Sequence, residues 1–131
     1  MKKYYALILG ASSGFGKSIA LALANDGVNI IGVHLDRMST MPDVKQLITD
    51  IESKGVEAHF YNVNAADAVK REEVISEIEK IIAKNSESTL KILVHSLAFG
   101  TLKPFVAEKP EVAVNSKQIE MTLDVMANSL V

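Results

Sequence analysis

The sequence has no cysteine, which excludes disulfide frameworks, thiolate metal centres and cysteine nucleophiles. No apolar run approaches the roughly 18 residues that a membrane-spanning helix needs. Behind Met1-Lys2-Lys3-Tyr4-Tyr5 only four apolar residues precede Gly10, too few for a signal peptide. Basic excess is missing as well: 14 lysines and arginines stand against 16 acidic residues, a net charge of −2. Generalised binding to nucleic acid or to a membrane surface is therefore not expected. Tyrosine is scarce, with only Tyr4, Tyr5 and Tyr61, and that scarcity limits the chemistry open to the chain. What is present is 131 residues with 48% apolar and 23% charged, enough for one packed domain and too apolar for wholesale disorder. The expectation is a soluble protein of a reducing compartment, the cytoplasm, with no metal site.

Glycine and proline punctuate the chain unevenly. Gly10, Gly14 and Gly16 cluster, Gly27 and Gly55 stand where helices would end, and Pro42, Pro104 and Pro110 fall in loop-like stretches. Between these marks the apolar period switches repeatedly. Short β-branched runs at 4–9, 28–35, 56–63 and 90–94 predict strands. Helical spacing over 17–25, 43–54, 66–84 and 116–131 predicts helices, lined by Ile19 and Leu23, by Val44, Leu47, Ile48 and Ile51, by Val74, Ile75, Ile78, Ile81 and Ile82, and by Ile119, Leu123, Met126 and Leu130. Strands joined by amphipathic helices argue an α/β fold with a parallel sheet covered on both faces. Right-handed crossovers then favour a Rossmann-like sheet of four strands ordered 3-2-1-4 with flanking helices. No repeat, low-complexity tract or linker divides the chain.

The glycine cluster lies between the first strand and the first helix as Gly10-Ala11-Ser12-Ser13-Gly14-Phe15-Gly16. At such a turn Gly10 can leave the strand sharply, Gly14 can admit a diphosphate to the backbone, and Gly16 can let the helix approach the strand. The helix start adds unpaired N–H groups and a positive dipole end, and Ser12 and Ser13 add hydroxyl donors. The spacing is GxxxGxG rather than GxGxxG, and its position after the first strand of an α/β chain is what points to a dinucleotide.

GASSGFG followed by KSIALALANDG resembles the short-chain dehydrogenase/reductase family, and the resemblance extends over essentially the whole chain. It implies an NAD(P)-dependent oxidoreductase that transfers hydride to a carbonyl or enoyl substrate. The family's acidic ribose-binding residue aligns with His34, followed by Leu35, Asp36 and Arg37. Loss of the acid there, with His34 and Arg37 able to face a 2′-phosphate, leans toward NADP. Asp36 stands near the distance expected of a ribose acid and keeps NAD open. Asn62-Val63 occupies the place of the family's adenine-side Asp-Val, where Asn62 could accept through its amide oxygen. His95-Ser96-Leu97-Ala98 replaces the family's Asn-Asn-Ala-Gly and is similar to the Ser-Ile-Ala segment of enoyl-acyl-carrier-protein reductases; His95 reads as a packed strand residue. Asn128 matches the family's catalytic asparagine, which holds a water in a proton relay. Lys103 and Lys109 read as solvated loop charges.

In the family a tyrosine, with a lysine four residues on, protonates or stabilises the oxyanion that hydride transfer creates. Four residues after Tyr4, Tyr5 and Tyr61 come Ile8, Leu9 and Ala65, and the six-residue spacing of the enoyl branch meets Gly10, Ala11 and Asp67. No pair qualifies. The resemblance therefore implies that residues 1–131 are an NAD(P)-binding Rossmann domain, incomplete relative to the family fold and cut before the Tyr-xxx-Lys segment. The chain alone is expected to be inactive, its parent a homo-oligomer acting on a small-molecule or acyl substrate. The competing expectation is a non-catalytic dinucleotide-binding module or regulator.

Overall fold

The computed structural model describes all residues from Met1 to Val131. The chain forms two compact units, Met1–Ser96 and Leu97–Val131. The first runs β1 (Lys3–Leu9), α1 (Gly14–Asn25), β2 (Asn29–His34), α2 (Met41–Glu52), β3 (Ala58–Asn62), α3 (Ala68–Ala83) and β4 (Ser88–His95). All strand pairs are parallel and their order is β3-β2-β1-β4, as the alternation of elements predicts.

Side chains alternate across the strands, so the sheet has two faces to cover. On one face Ala6, Ile8 and Ile30 join Ala20 and Ala24 of α1 and Leu47 and Ile51 of α2 in a single buried core. Fully burying each of these larger aliphatic side chains contributes about 1.5–3 kcal/mol. On the other face Val74, Ile78 and Ile81 of α3 are buried, and Glu77 and Lys80 come near Tyr61 of β3. β2 is one of the two inner strands and all six of its residues are buried.

Two helices differ in detail from their apolar spacing. In α1 the buried residues are Gly16, Ala20 and Ala24, while Ile19 and Leu23 are partly buried at the flanks. The axis of α1 comes so close to β1 that only small side chains fit along the contact line. In α3, Ile75 is exposed, because the contact stripe at 74, 78 and 81 leaves position 75 on its solvent side.

The amino-terminal ends of the strands carry a polar cluster. The Glu57 carboxylate accepts from Lys3 Nζ at 2.7 Å and from the Tyr5 hydroxyl at 2.8 Å, and His59 Nε2 lies 3.1 Å from it. Asn29 completes the seam: its Oδ1 accepts from the Glu57 N–H at 2.8 Å, and its Nδ2 donates to the Tyr4 carbonyl at 3.2 Å. The bonds from Lys3, His59 and Tyr5 hold the Glu57 carboxyl down at about 2, from an ordinary 4.5. A depressed carboxylate contributes stability that is complete above the unfolded value and is lost as pH falls through the folded one. Acid unfolding should therefore show a component between pH 4.5 and about 2 that Glu57→Gln removes. Urea midpoints measured across that window check it, and an unchanged pH slope in the variant would sink the assignment.

The second unit holds a 3₁₀ turn (Pro110–Val112), α4 (Ser116–Met126) and a final 3₁₀ turn (Asn128–Leu130). Asn115 and Gln118 form a reciprocal capping box at the start of α4. Gly100 lies against Thr122, whose hydroxyl accepts from the Thr101 N–H at 3.4 Å. The α-helix stops at Met126, earlier than the apolar spacing to residue 131 predicts, so Asn128 lies in the 3₁₀ turn rather than in the helix.

Candidate cofactor-binding site

The carboxyl ends of the strands are stitched together at one level. The N–H groups of Gly10 and Ala11 both donate to the Val33 carbonyl, at 2.9 and 3.1 Å; Val63 N–H donates to the His34 carbonyl at 2.8 Å, and Ser96 N–H to the Leu9 carbonyl at 2.8 Å. The glycine turn emerges at the centre of this rim, between β1 and α1, the place where an open α/β sheet forms its ligand crevice.

Each glycine of the turn answers a geometric demand. Gly14 has φ +54°, and a Cβ built there would meet nothing within 4 Å. At Gly16 the opposite holds: a Cβ would stand 1.9 Å from the Gly10 carbonyl oxygen and 2.8 Å from its carbon, so α1 can rest here only without a side chain. Ser13, the residue before α1, is extended and makes no side-chain cap, which leaves the first N–H groups of α1 uncapped by it. Phe15 projects outward, 84% exposed.

Beside the turn, β2 and β3 end in a polar knot. His34 is buried, and its Nδ1 lies 2.9 Å from Asp36 Oδ2. Thr40 Oγ1 donates to Asp36 Oδ1 at 2.8 Å. Asn62 grips the Asp36 backbone from β3: its Oδ1 accepts from the Asp36 N–H at 2.9 Å and its Nδ2 donates to the Asp36 carbonyl at 3.0 Å. Burial pushes the Asp36 carboxyl up, but hydrogen bonds from Ser12, Thr40 and His34 outweigh it and hold the group below its usual value. Arg37 is exposed, and no ion pair in the structure includes it.

The fold thus brings Gly10, Ser12, Ser13, Gly14, Phe15, Gly16, His34, Asp36, Arg37, Asn62, Val63 and Ser96 into the first unit, at or just beyond the carboxyl ends of the strands. Leu97, Ala98 and Asn128 belong to the second unit, where Asn128 Nδ2 donates to Asp124 Oδ1 at 2.8 Å. Sequence spacing overlooked Thr40 and the Val33 carbonyl. The signal for Thr40 was its place four residues after Asp36; for a backbone carbonyl no side-chain pattern exists. Sequence also missed the use to which Asn62 is put, since both of its amide groups are engaged by a residue 26 positions away.

A parallel sheet ordered 3-2-1-4, with a glycine turn opening its first helix, defines the Rossmann class of nucleotide-binding folds. Residues 4–131 match the family described as short chain dehydrogenase, and the chain belongs to that family. Among curated relatives it is similar to a 3-oxoacyl-[acyl-carrier-protein] reductase of Staphylococcus aureus, 34% identical over 73 residues that cover 56% of this chain and 28% of the relative. Among solved structures it is similar to YwfH, an NADPH-dependent reductase involved in bacilysin biosynthesis, with a TM-score of 0.76 and 22% identity over 98% of this chain and 45% of that one. A 3-oxoacyl-[acyl-carrier protein] reductase from Brucella melitensis in complex with NAD gives a TM-score of 0.70 at 19% identity, over 98% of this chain and 45% of that one. At these identities the two structures establish the fold. The chain spans less than half the length of each of these proteins. The curated relative and both structures are named as reductases. No helix is long and apolar enough to cross a membrane.

Proposed function

We propose that the chain is the dinucleotide-holding part of a short-chain oxidoreductase that passes hydride to a carbonyl or enoyl carbon. The observation that carries this reading is the pairing of Gly14 with Gly16: open space over one and backbone contact at the other make a turn shaped for a diphosphate against a helix start. Bound nicotinamide would supply the hydride. In this reading Gly10, Ser12, Ser13, Gly14 and Phe15 line the diphosphate, Asn62 and Val63 the adenine side, and Ser96, Leu97 and Ala98 the nicotinamide side. Asn128 holds a water for proton transfer. The substrate is a small carbonyl compound or an acyl thioester; similarity to a 3-oxoacyl reductase supports the former chemistry and the Ser96-Leu97-Ala98 segment the enoyl one. The parent is a cytoplasmic homo-oligomer, and residues 1–131 are its cofactor domain.

The lean toward NADP draws on the missing acid at position 34 and on His34 and Arg37 as groups for a 2′-phosphate. His34 is buried on Asp36, so Arg37 is the basic group left for that role. A second reading, a non-catalytic dinucleotide module, draws support from the tyrosines: Tyr5 is bonded to Glu57 at the far end of the sheet, away from the glycine turn.

Titration with NADH and NADPH, followed by nicotinamide fluorescence, tests the binding claim. Saturable binding of at least one is expected at or below millimolar cofactor. Failure of both to bind would remove the dinucleotide from the reading and leave a scaffold.

A further inference from the structure

We propose that Phe60 is a positioning residue for the glycine turn: its ring takes the place of the side chain that β2 lacks at Gly32 and so sets where the turn stands over the sheet. The inference rests on the dinucleotide reading above and adds to it a residue of β3, outside the turn, on which diphosphate binding depends.

Gly32 lies within β2, paired with Ile8 of β1 on one side and with Phe60 of β3 on the other. Positive φ occurs at Gly10, Gly14, Gly27 and Gly55 but not at Gly32, so nothing in the backbone asks for glycine there. The space does. A Cβ built at Gly32 would stand 2.7 and 2.8 Å from Cε1 and Cζ of Phe60 and 2.9 Å from the Ala11 Cβ. The tip of the ring and the methyl group of the turn thus converge on one point over the strand, which only a missing side chain leaves open. Ala11 is fully buried, and the Phe60 ring packs against the core to which Ala11 belongs. The ring also neighbours His34, at 6.0 Å between centroids.

Two contacts therefore hold the turn. The N–H groups of Gly10 and Ala11 fix it to the Val33 carbonyl, and the Ala11 methyl group shares the space over Gly32 with the ring tip. A shorter side chain at position 60 leaves a gap beside Ala11, into which the turn relaxes. A methyl group at position 32 does the reverse. The Ala11 Cβ is bonded directly to the backbone of the turn and cannot swing aside, so the turn is pushed off the sheet. Either displacement carries Gly14 and the first N–H groups of α1 away from the diphosphate they are shaped to meet. The two changes oppose each other, because Phe60→Leu withdraws the two ring atoms that Gly32→Ala would strike.

NADH titration of the chain by nicotinamide fluorescence, read beside urea midpoints, decides the matter. Phe60→Leu and Gly32→Ala should each weaken NADH about tenfold, the size of one hydrogen bond to a charged group. ADP, which carries the diphosphate without nicotinamide, should lose as much when it competes with NADH. The double variant should bind more tightly than either single one, because the two displacements cancel, whereas independent sites would multiply their losses. A residue that only supports the fold would lower the urea midpoint and leave the affinity of the folded chain as it was. Phe60→Leu keeps an apolar side chain at a partly buried position, so it carries the test if Gly32→Ala does not fold. Unchanged affinity in Phe60→Leu, or a double variant weaker than both single ones, would overturn the inference. Binding of neither NADH nor NADPH by the unsubstituted chain would overturn the dinucleotide reading itself, and so is told apart from failure of this one.

Discussion

Gly16→Ala is expected to destabilise the first unit and to abolish cofactor binding. The added Cβ would sit 1.9 Å from the Gly10 carbonyl oxygen and 2.8 Å from its carbon, with Ala11 Cα at 3.3 Å. All three are backbone atoms, so no rotamer change relieves the clash. Either α1 lifts from β1 or the turn moves, and the turn is itself bound to Val33 through the N–H groups of Gly10 and Ala11. Overpacking of this kind costs about 1–3 kcal/mol and occasionally more. Against a typical total of about 5–15 kcal/mol that is a large share. Gly14→Ala is the control. Its Cβ meets nothing, and the φ of +54° costs an alanine only about 1–2 kcal/mol. That variant should fold, yet bind cofactor more weakly because its methyl group occupies the space reserved for the diphosphate. Urea midpoints by circular dichroism, read beside NADH titration, separate the two effects. A Gly16→Ala chain with an unchanged midpoint would show that α1 does not press on the turn as described.

The chain by itself is expected to show no NAD(P)H-dependent reduction of a β-ketoacyl or enoyl thioester. The reason lies in where its tyrosines are. Burial and the neighbouring Glu57 push the Tyr5 phenol up to about 12, and its hydroxyl donates to that carboxylate at 2.8 Å. A proton donor works best with a pKa near the operating pH, so this shift runs the wrong way. Burial also raises Tyr61, whose charged neighbours are Glu77 and Lys80, and these are paired with each other at 2.5 Å. Tyr4 has a lysine close by, but the Lys91 ammonium lies 4.5 Å above its ring centroid rather than beside its hydroxyl. A positioned acid is worth about 100- to 10,000-fold in rate, and none of the three supplies it. Loss of NAD(P)H absorbance faster than in enzyme-free buffer would overturn the prediction.

Much of the fold was legible because it is written locally. β-branched runs of strand length alternating with helix-period stripes force a parallel sheet, and crossover handedness then leaves few strand orders. The glycine turn was legible for the same reason, since all its parts lie within seven residues and each glycine answers a constraint from its own neighbours. What could not be read was set by contacts far along the chain. Ile19 and Leu23 looked like the inner face of α1, yet the close approach at Gly16 turns Ala20 and Ala24 inward. Asn62 aligns with the family's adenine-side position, and the register of β3 on β2 adds a second engagement, of its amide with the Asp36 backbone. His34 looked like a possible phosphate partner, and burial at the end of β2 makes it a donor to a carboxylate.

The sequence by itself determined the class of fold, the place of the glycine turn and the want of a tyrosine–lysine pair, because each depends on residue type and short-range spacing. The tertiary structure alone decided the division into two units, the small-residue contact of α1 and the charge that Asp36 holds beside the glycine turn. That charge depends on which way a buried imidazole points, and its direction is set by Phe60, Asn62 and Thr40 meeting His34 and Asp36 where the strands end.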